Sequence, residues 1–249
     1  MSVQPWKRRF YPRPEQGDAR FAFRGLLEQS LRPDFPVLDI GAGAGELNAY
    51  HLRGRVREVI GADLDPRVQT NPLLDRGIVG DATALPLEDQ SVDLAFSIYM
   101  MEHAARPVSF IREIRRVLRP GGFYLALTPN LYHYVCQISR LTPQWFHKWL
   151  RRRLYHVEQD DTFDTHYLLN TRAELRRRFE REGFQTLLMK TIEIRPNCLT
   201  FSLPTFLAGA FYERVVNRSE GWADWRVNIL CGFRKPAGPQ QAGCHVGSR

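Results

Sequence analysis

The chain has 249 residues, 43% of them hydrophobic, which suits one α/β domain with a modest appendage and excludes disorder of the whole. Its formal net charge is +8, with the surplus in Lys148-Trp149-Leu150-Arg151-Arg152-Arg153 and Arg176-Arg177-Arg178. These runs read either as solvated helix faces or as sites for anionic partners: phosphate-bearing substrates, acidic membranes or nucleic acid.

In chain order, residues 1–14 are basic and aromatic and lack the apolar core of a signal peptide. They read as a frayed start or as a segment folded over a ligand. A helix is predicted over 15–31, with Phe21, Leu27 and Leu31 near helical spacing. Val37-Leu38-Asp39-Ile40 predicts a buried strand that enters Gly41-Ala42-Gly43-Ala44-Gly45, and a helix is predicted over 46–52. Glycine suits this bend because it takes positive φ freely and lets a ligand lie against the backbone. The G-x-G-x-G spacing differs from the dinucleotide fingerprint, so alone it also fits a tight turn with no ligand.

A second strand over 59–62 ends at Asp63. An acid there can accept from both hydroxyls of a ribose. The rival reading is a helix cap, a role that Asp65 before Pro66 fills better. A short strand over 78–80 ends at Asp81, which reads as a ligand acceptor or only as a turn residue. A strand over 92–97 precedes a helix over 107–118, whose Val108, Ile111, Ile114, Val117 and Leu118 form one apolar face. Pro120-Gly121-Gly122 stops that helix, and a fifth strand covers 123–127.

These signals share one order and spacing. The glycine loop, Asp63, Gly80-Asp81-Ala82 with Leu85-Pro86-Leu87, the fourth strand and Arg116-Val117-Leu118-Arg119-Pro120-Gly121-Gly122 together resemble the class I S-adenosylmethionine-dependent methyltransferases. The resemblance spans roughly 37–130 and points to the branch acting on small molecules and lipids. It implies an α/β, Rossmann-like doubly wound seven-stranded sheet, in the order 3-2-1-4-5-7-6 with the last strand antiparallel, and an insertion after strand five. S-adenosylmethionine would lie across the carboxyl ends of strands one and two. Gly41, Gly43 and Gly45 would allow close approach, Asp39 would sit by the methionine ammonium, and Asp63 would hold the ribose. Asp81 and Ala82 would meet the adenine edge, with Leu64 and Leu85 on its faces. The N-terminal segment, as a lid, would bring Tyr11 and Arg13 to the cofactor, Arg13 on its carboxylate. Ser97 and the residues after it lie where the methyl group should emerge. The family's Glu-His pair stands here as Glu102-His103, with His103 either a general base or an anchor of its loop.

Beyond strand five, residues 131–169 are expected to cover the acceptor. His133, Tyr134, His147, His156 and the run 160–167 supply polar groups there, and His166 ranks first among base candidates. The same run also reads as a loop that satisfies its own backbone. Thr171 with Glu174 forms a capping box, and strands follow over 184–194 and 225–233. Between them the uncharged run 198–211 reads as a helix packed on the sheet or as one leaning on a membrane. The expected units are a lid helix over 1–31, the catalytic domain over 32–235 and a disordered tail over 236–249. Four scattered cysteines supply neither a zinc site nor a disulfide framework, and no ligand spacing recommends a metal.

The resulting expectation is a cytoplasmic methyltransferase for a small-molecule, glycan or lipid-linked acceptor, at most peripheral to an anionic membrane. No apolar run approaches the roughly 20 residues of a membrane span. The alternatives are RNA or protein methylation, which charge alone suggests, and a non-catalytic module. No nucleic-acid module is evident, and the oligomeric state is not encoded legibly.

Overall fold

Hydrophobic runs of strand length, each ended by glycine, proline or aspartate, assemble into one sheet in the computed structural model, which describes residues 3–45, 50–141 and 164–237. The strands are β1 (Pro36–Ile40), β2 (Glu58–Asp63), β3 (Arg76–Val79), β4 (Val92–Ile98), β5 (Leu118–Pro129), β6 (Gln185–Ile192) and β7 (Asn228–Arg234). Their order is β3-β2-β1-β4-β5-β7-β6, and β7 runs antiparallel to both neighbours, as expected. The parallel register pairs Ile40 with Ala62 and Asp39 with Phe96, so the ends of β1, β2 and β4 open at one edge.

Period-two alternation sorts side chains between two cores. One face carries Leu38, Ile60, Ala95, Tyr124, Ala126 and Phe233 under α3 (Pro107–Val117) and α5 (Arg172–Arg181). There Phe179 stacks between Phe233 at 3.8 Å and Tyr124 at 5.5 Å. The other carries Val37, Val59, Leu94, Phe96 and Leu125 under α2 (Arg20–Ser30), which buries Phe23 and Leu27 completely. Burying each such side chain contributes about 1.5–3 kcal/mol. On α3 the covered face uses Phe110, while Val108, assigned to that face from spacing, stands 38% exposed.

Several local expectations shift. Residues 46–49 lie outside the described residues, and 50–52 are not helical. Tyr50 and Leu52 turn into the α2-side core, Tyr50 edge-on to Phe96 at 5.3 Å, before Gly54 reverses the chain with φ 74°. The helix start at Asp65-Pro66 yields only a 3-10 turn (Pro66–Thr70), because Asn71-Pro72 ends it. Residues 220–225 form another 3-10 turn, so the last strand begins at Asn228 and not at Trp225.

The N-terminus forms a helix the sequence did not suggest, α1 (Gln4–Phe10), with proline in its first turn. It packs Val3, Trp6, Phe10 and Tyr11 on Leu203, Phe206 and Ala210 of α6 (Leu203–Asn217). α1 and α2 thus both pack on the rest of the fold. α4 (Tyr134–Leu141) follows β5, while most of the expected insertion (142–163) and the tail from 238 lie outside the described residues.

Candidate active site

The glycine loop is held by the strand beside it. The N–H groups of Gly41 and Ala42 both donate to the Ala62 carbonyl, at 2.8 and 3.3 Å. Asn71, buried, donates to the Ala42 and Gly43 carbonyls at 3.1 Å each. Sequence reasoning took Asn71 only as a helix breaker; it braces the loop from below.

Gly43 lies at φ 53° and its N–H donates to Asp63 Oδ2 at 2.8 Å, while Asp65 N–H donates to Asp63 Oδ1 at 2.9 Å. A carboxylate offers about four acceptor positions, so two remain for a ligand. A Cβ on Gly43 would point into the open space 4.0 Å from Asp63 Oδ2. That space, free of side chains among the described residues, lies above a half-satisfied carboxylate and fits a ribose diol. Leu64, 56% exposed beside it, offers an apolar surface to a base, whereas Leu85 is buried in the core and unavailable for the second face.

Asp39 lies deeper, in a cleft of about 440 Å³ counted with its open mouth, lined also by Tyr50, Asn71, Phe96 and Ile98. Burial, and then the charge of Asp63, push the Asp39 carboxyl up to about 8. Such an acid is primed for a cation. Arg20, at the start of α2, is paired with Asp18 and within electrostatic reach of Tyr50 and Tyr99. Tyr50 in turn lines the cleft.

Asp81 accepts the N–H and hydroxyl of Thr83 at 2.8 Å each and an Arg106 N–H at 2.6 Å. The Thr83 backbone N–H first, then the Thr83 hydroxyl and Arg106, hold it below the usual carboxylate range. Ala82 beside it is partly buried against the α3-side core.

Three expected cofactor contacts do not converge on this cleft. Ser97 is fully buried on the opposite face of β4, its hydroxyl 2.6 Å from that of Tyr124. Strand parity is the reason: Phe96 and Ile98 face the cleft, so Ser97 faces away. Tyr11 packs on α6 and donates to Glu213 at 3.0 Å, and Arg13 stands exposed just after α1. α1 docks on α6 and carries Tyr11 there with it.

Past β4, Tyr99 adopts φ 52° and donates to Asn228 Oδ1 at 3.2 Å. Glu102 follows in a 3-10 turn, 6% exposed; burial pushes its carboxyl up to about 7. Thr128 donates to it at 3.3 Å and in turn accepts from Asn170 at 2.8 Å. The Glu102 carbonyl accepts the N–H groups of His166 and Tyr167. His103 Nδ1 lies 3.0 Å from the Asp164 carbonyl, which can only accept, so that ring carries its proton on Nδ1 and leaves Nε2 as the acceptor. His166 is exposed in the loop this contact anchors. At the ends of β5 and β6, buried His133 and Glu193 face each other at 3.6 Å; burial lowers His133 to about 4 and raises Glu193 to about 8. Among the described residues no group of three metal-ligating side chains converges, and no helix is long and apolar enough to cross a membrane.

Comparison with known proteins bears on the fold and the domain. Residues 38–126 match the family described as methyltransferase domain. Over 124 residues the chain is 36% identical to the ubiquinone/menaquinone biosynthesis C-methyltransferase UbiE of Shewanella sp. (strain ANA-3), covering 45% of this chain and 49% of the relative. The chain thus spans about half the length of the curated relatives it matches. Among solved structures, an S-adenosylmethionine-dependent methyltransferase from Mesorhizobium loti aligns with TM-score 0.56 at 16% identity, over 88% of this chain and 98% of that one. Geranyl diphosphate C-methyltransferase from Streptomyces coelicolor A3(2), solved with Mg2+, geranyl diphosphate and S-adenosyl-L-homocysteine, aligns with TM-score 0.53 at 15% identity, over 86% and 77%. These two likenesses establish the fold.

Proposed function

We propose, from a chain that carries a class I S-adenosylmethionine-dependent methyltransferase domain over residues 38–126, that it moves the cofactor's methyl group to a small, largely apolar acceptor. The observation that carries this reading is the Asp63 carboxylate, tied to Gly43 at 2.8 Å under a space that no described side chain fills. The bound cofactor supplies a sulfonium methyl with a neutral thioether as leaving group. Asp63 takes the ribose hydroxyls on its two open positions. Asp39 meets the methionine ammonium, Arg20 its carboxylate, and Asp81 with Ala82 the adenine edge. Holding both reactants in line accounts for much of the rate, since such a displacement needs no acid at the leaving group.

The acceptor reading is finer. The UbiE relative is a C-methyltransferase of quinone biosynthesis, and we assign this chain an acceptor of that kind: an electron-rich ring, with a lipid-linked one included. Methylation at carbon creates the C–CH3 bond, breaks the S–CH3 bond and sheds a proton from the acceptor. Glu102, with a carboxyl near neutrality, and His103, with Nε2 as its acceptor atom, are the groups to receive that proton; His166 is the third. Contact with an anionic membrane belongs to the same reading.

Calorimetry with S-adenosylmethionine and S-adenosylhomocysteine tests the core. Saturable binding is expected for the parent chain and a large loss for Asp63→Ala. A folded sample that binds neither at ~1 mM, where even weak ligands register, sinks the assignment.

A further inference from the structure

A helix with one side on protein and one on water carries polar residues on the wet side. α6 does not. Its covered positions are Phe206, Gly209, Ala210 and Val216, yet its exposed side runs Pro204, Leu207, Ala208 and Phe211, with Phe201 just ahead of the helix. Phe211 is 71% exposed and Phe201 59%. The 3-10 turn that follows adds exposed Trp222 and Trp225. Cations border this stripe. Arg214 lies over the Phe10 ring at 4.9 Å, Arg218 stands at the end of α6, and Arg8 and Arg9 stand on the exposed side of α1. Neighbouring acids are paired within the chain: Glu213 accepts from Tyr11, Glu220 from Arg226 and Asp224 from Arg172, although Glu220 and Asp224 stand exposed.

We propose that α6, α1 and the turn holding Trp222 and Trp225 form the face by which this chain lies on an anionic lipid surface. Aromatic side chains enter the boundary between headgroups and acyl chains, and the arginines meet phosphate. Charge selects this occupant over a second copy. A twofold contact through the same face would set Arg8, Arg9, Arg214 and Arg218 against themselves, whereas an anionic bilayer satisfies the stripe and its border together. The inner side of α6 carries Tyr212, whose ring lies 5.6 Å from His133 and 5.1 Å from Tyr134, just beyond the end of β5. The helix therefore stands between the lipid face and the acceptor end of the sheet, and the biological purpose of the contact rests on the apolar-acceptor reading.

Flotation of the full chain with vesicles of phosphatidylcholine, alone or with about one-third phosphatidylglycerol, is the test. Binding to the anionic vesicles only, lost at high salt, is expected. Leu207→Ser with Phe211→Ser, and separately Arg8→Glu with Arg9→Glu, should each lower partitioning roughly ten-fold or more, with melting temperature and cofactor heats unchanged. A chain that stays in the soluble fraction with anionic vesicles overturns the proposal. So do variants that float as well as the parent, or a dimer in solution that Phe211→Ser dissociates. Vesicle binding without cofactor binding would leave this surface standing and sink methyl transfer; the reverse would sink only the surface.

Discussion

Asp63 at the end of β2 accepts the backbone N–H of Gly43 from the loop after β1, at 2.8 Å, and so couples the shape of the glycine loop to the carboxylate proposed to receive the ribose. Asp63→Asn keeps the size but turns one oxygen into a donor that faces an N–H. Hydrogen bonds to a charged partner contribute about 1.5–3 kcal/mol, so cofactor affinity should fall roughly 10- to 100-fold, read by calorimetry. The apo chain should also lose about 1–3 kcal/mol, read by denaturant unfolding.

Acid–base linkage gives the apo chain an unusual pH profile. Burial raises Asp39 to about 8, Glu102 to about 7 and Glu193 to about 8. Between their unfolded values and these, the native state binds more protons than the unfolded one, so stability falls as pH rises from about 5 to 8. His133, lowered to about 4, acts oppositely below its unfolded value of about 6.5. Melting temperature should therefore decline from mildly acidic pH toward 8. Asp39→Asn should remove part of that decline and raise stability at pH 8 while abolishing cofactor binding. Below pH 8, cofactor binding to the parent should release a proton from Asp39, seen as heats that depend on the buffer's ionisation enthalpy.

With Glu102 as proton acceptor, turnover should rise through pH 7 and level above it. Glu102→Gln should lower kcat about 10²- to 10⁴-fold and flatten that limb, with cofactor affinity unchanged. A variant that keeps the parent's pH profile would assign the carboxyl to anchoring Thr128 alone.

Arg106 occupies one oxygen of Asp81, where the adenine amino group is to dock. The pair is exposed, so it is worth at most about 1 kcal/mol. Arg106→Ala should tighten cofactor binding a few-fold at low salt, and the gain should shrink as salt rises.

Ser97→Ala should leave cofactor affinity unchanged. It should instead cost about 1–3 kcal/mol, because the Tyr124 hydroxyl loses its partner inside the core. A weakened affinity with intact stability would return Ser97 to the cleft.

The parts of the site legible in the sequence are those made by short-range chemistry. Asp39, the three glycines and Asp63 sit at strand ends that alternation and turn residues mark by themselves. What escaped depends on distant partners. α1 is seven residues long, and what covers it lies near Phe206, far along the chain. Asn71 braces the loop through carbonyls 28 and 29 residues earlier. The facing of Ser97 belongs with these, since it follows from the pairing of Asp39 with Phe96 on a neighbouring strand.

The reversed final strand also shapes how the protein is made. β7 lies between β5 and β6, so residues 123–129 of β5 present an unmatched row of backbone donors and acceptors until 228–234 leave the ribosome. For much of translation the nascent chain holds a finished cofactor half beside an open, sticky border. Slowing synthesis after β6, or withholding holdase chaperones, should tip yield toward insoluble material well before it touches the activity of molecules that have matured.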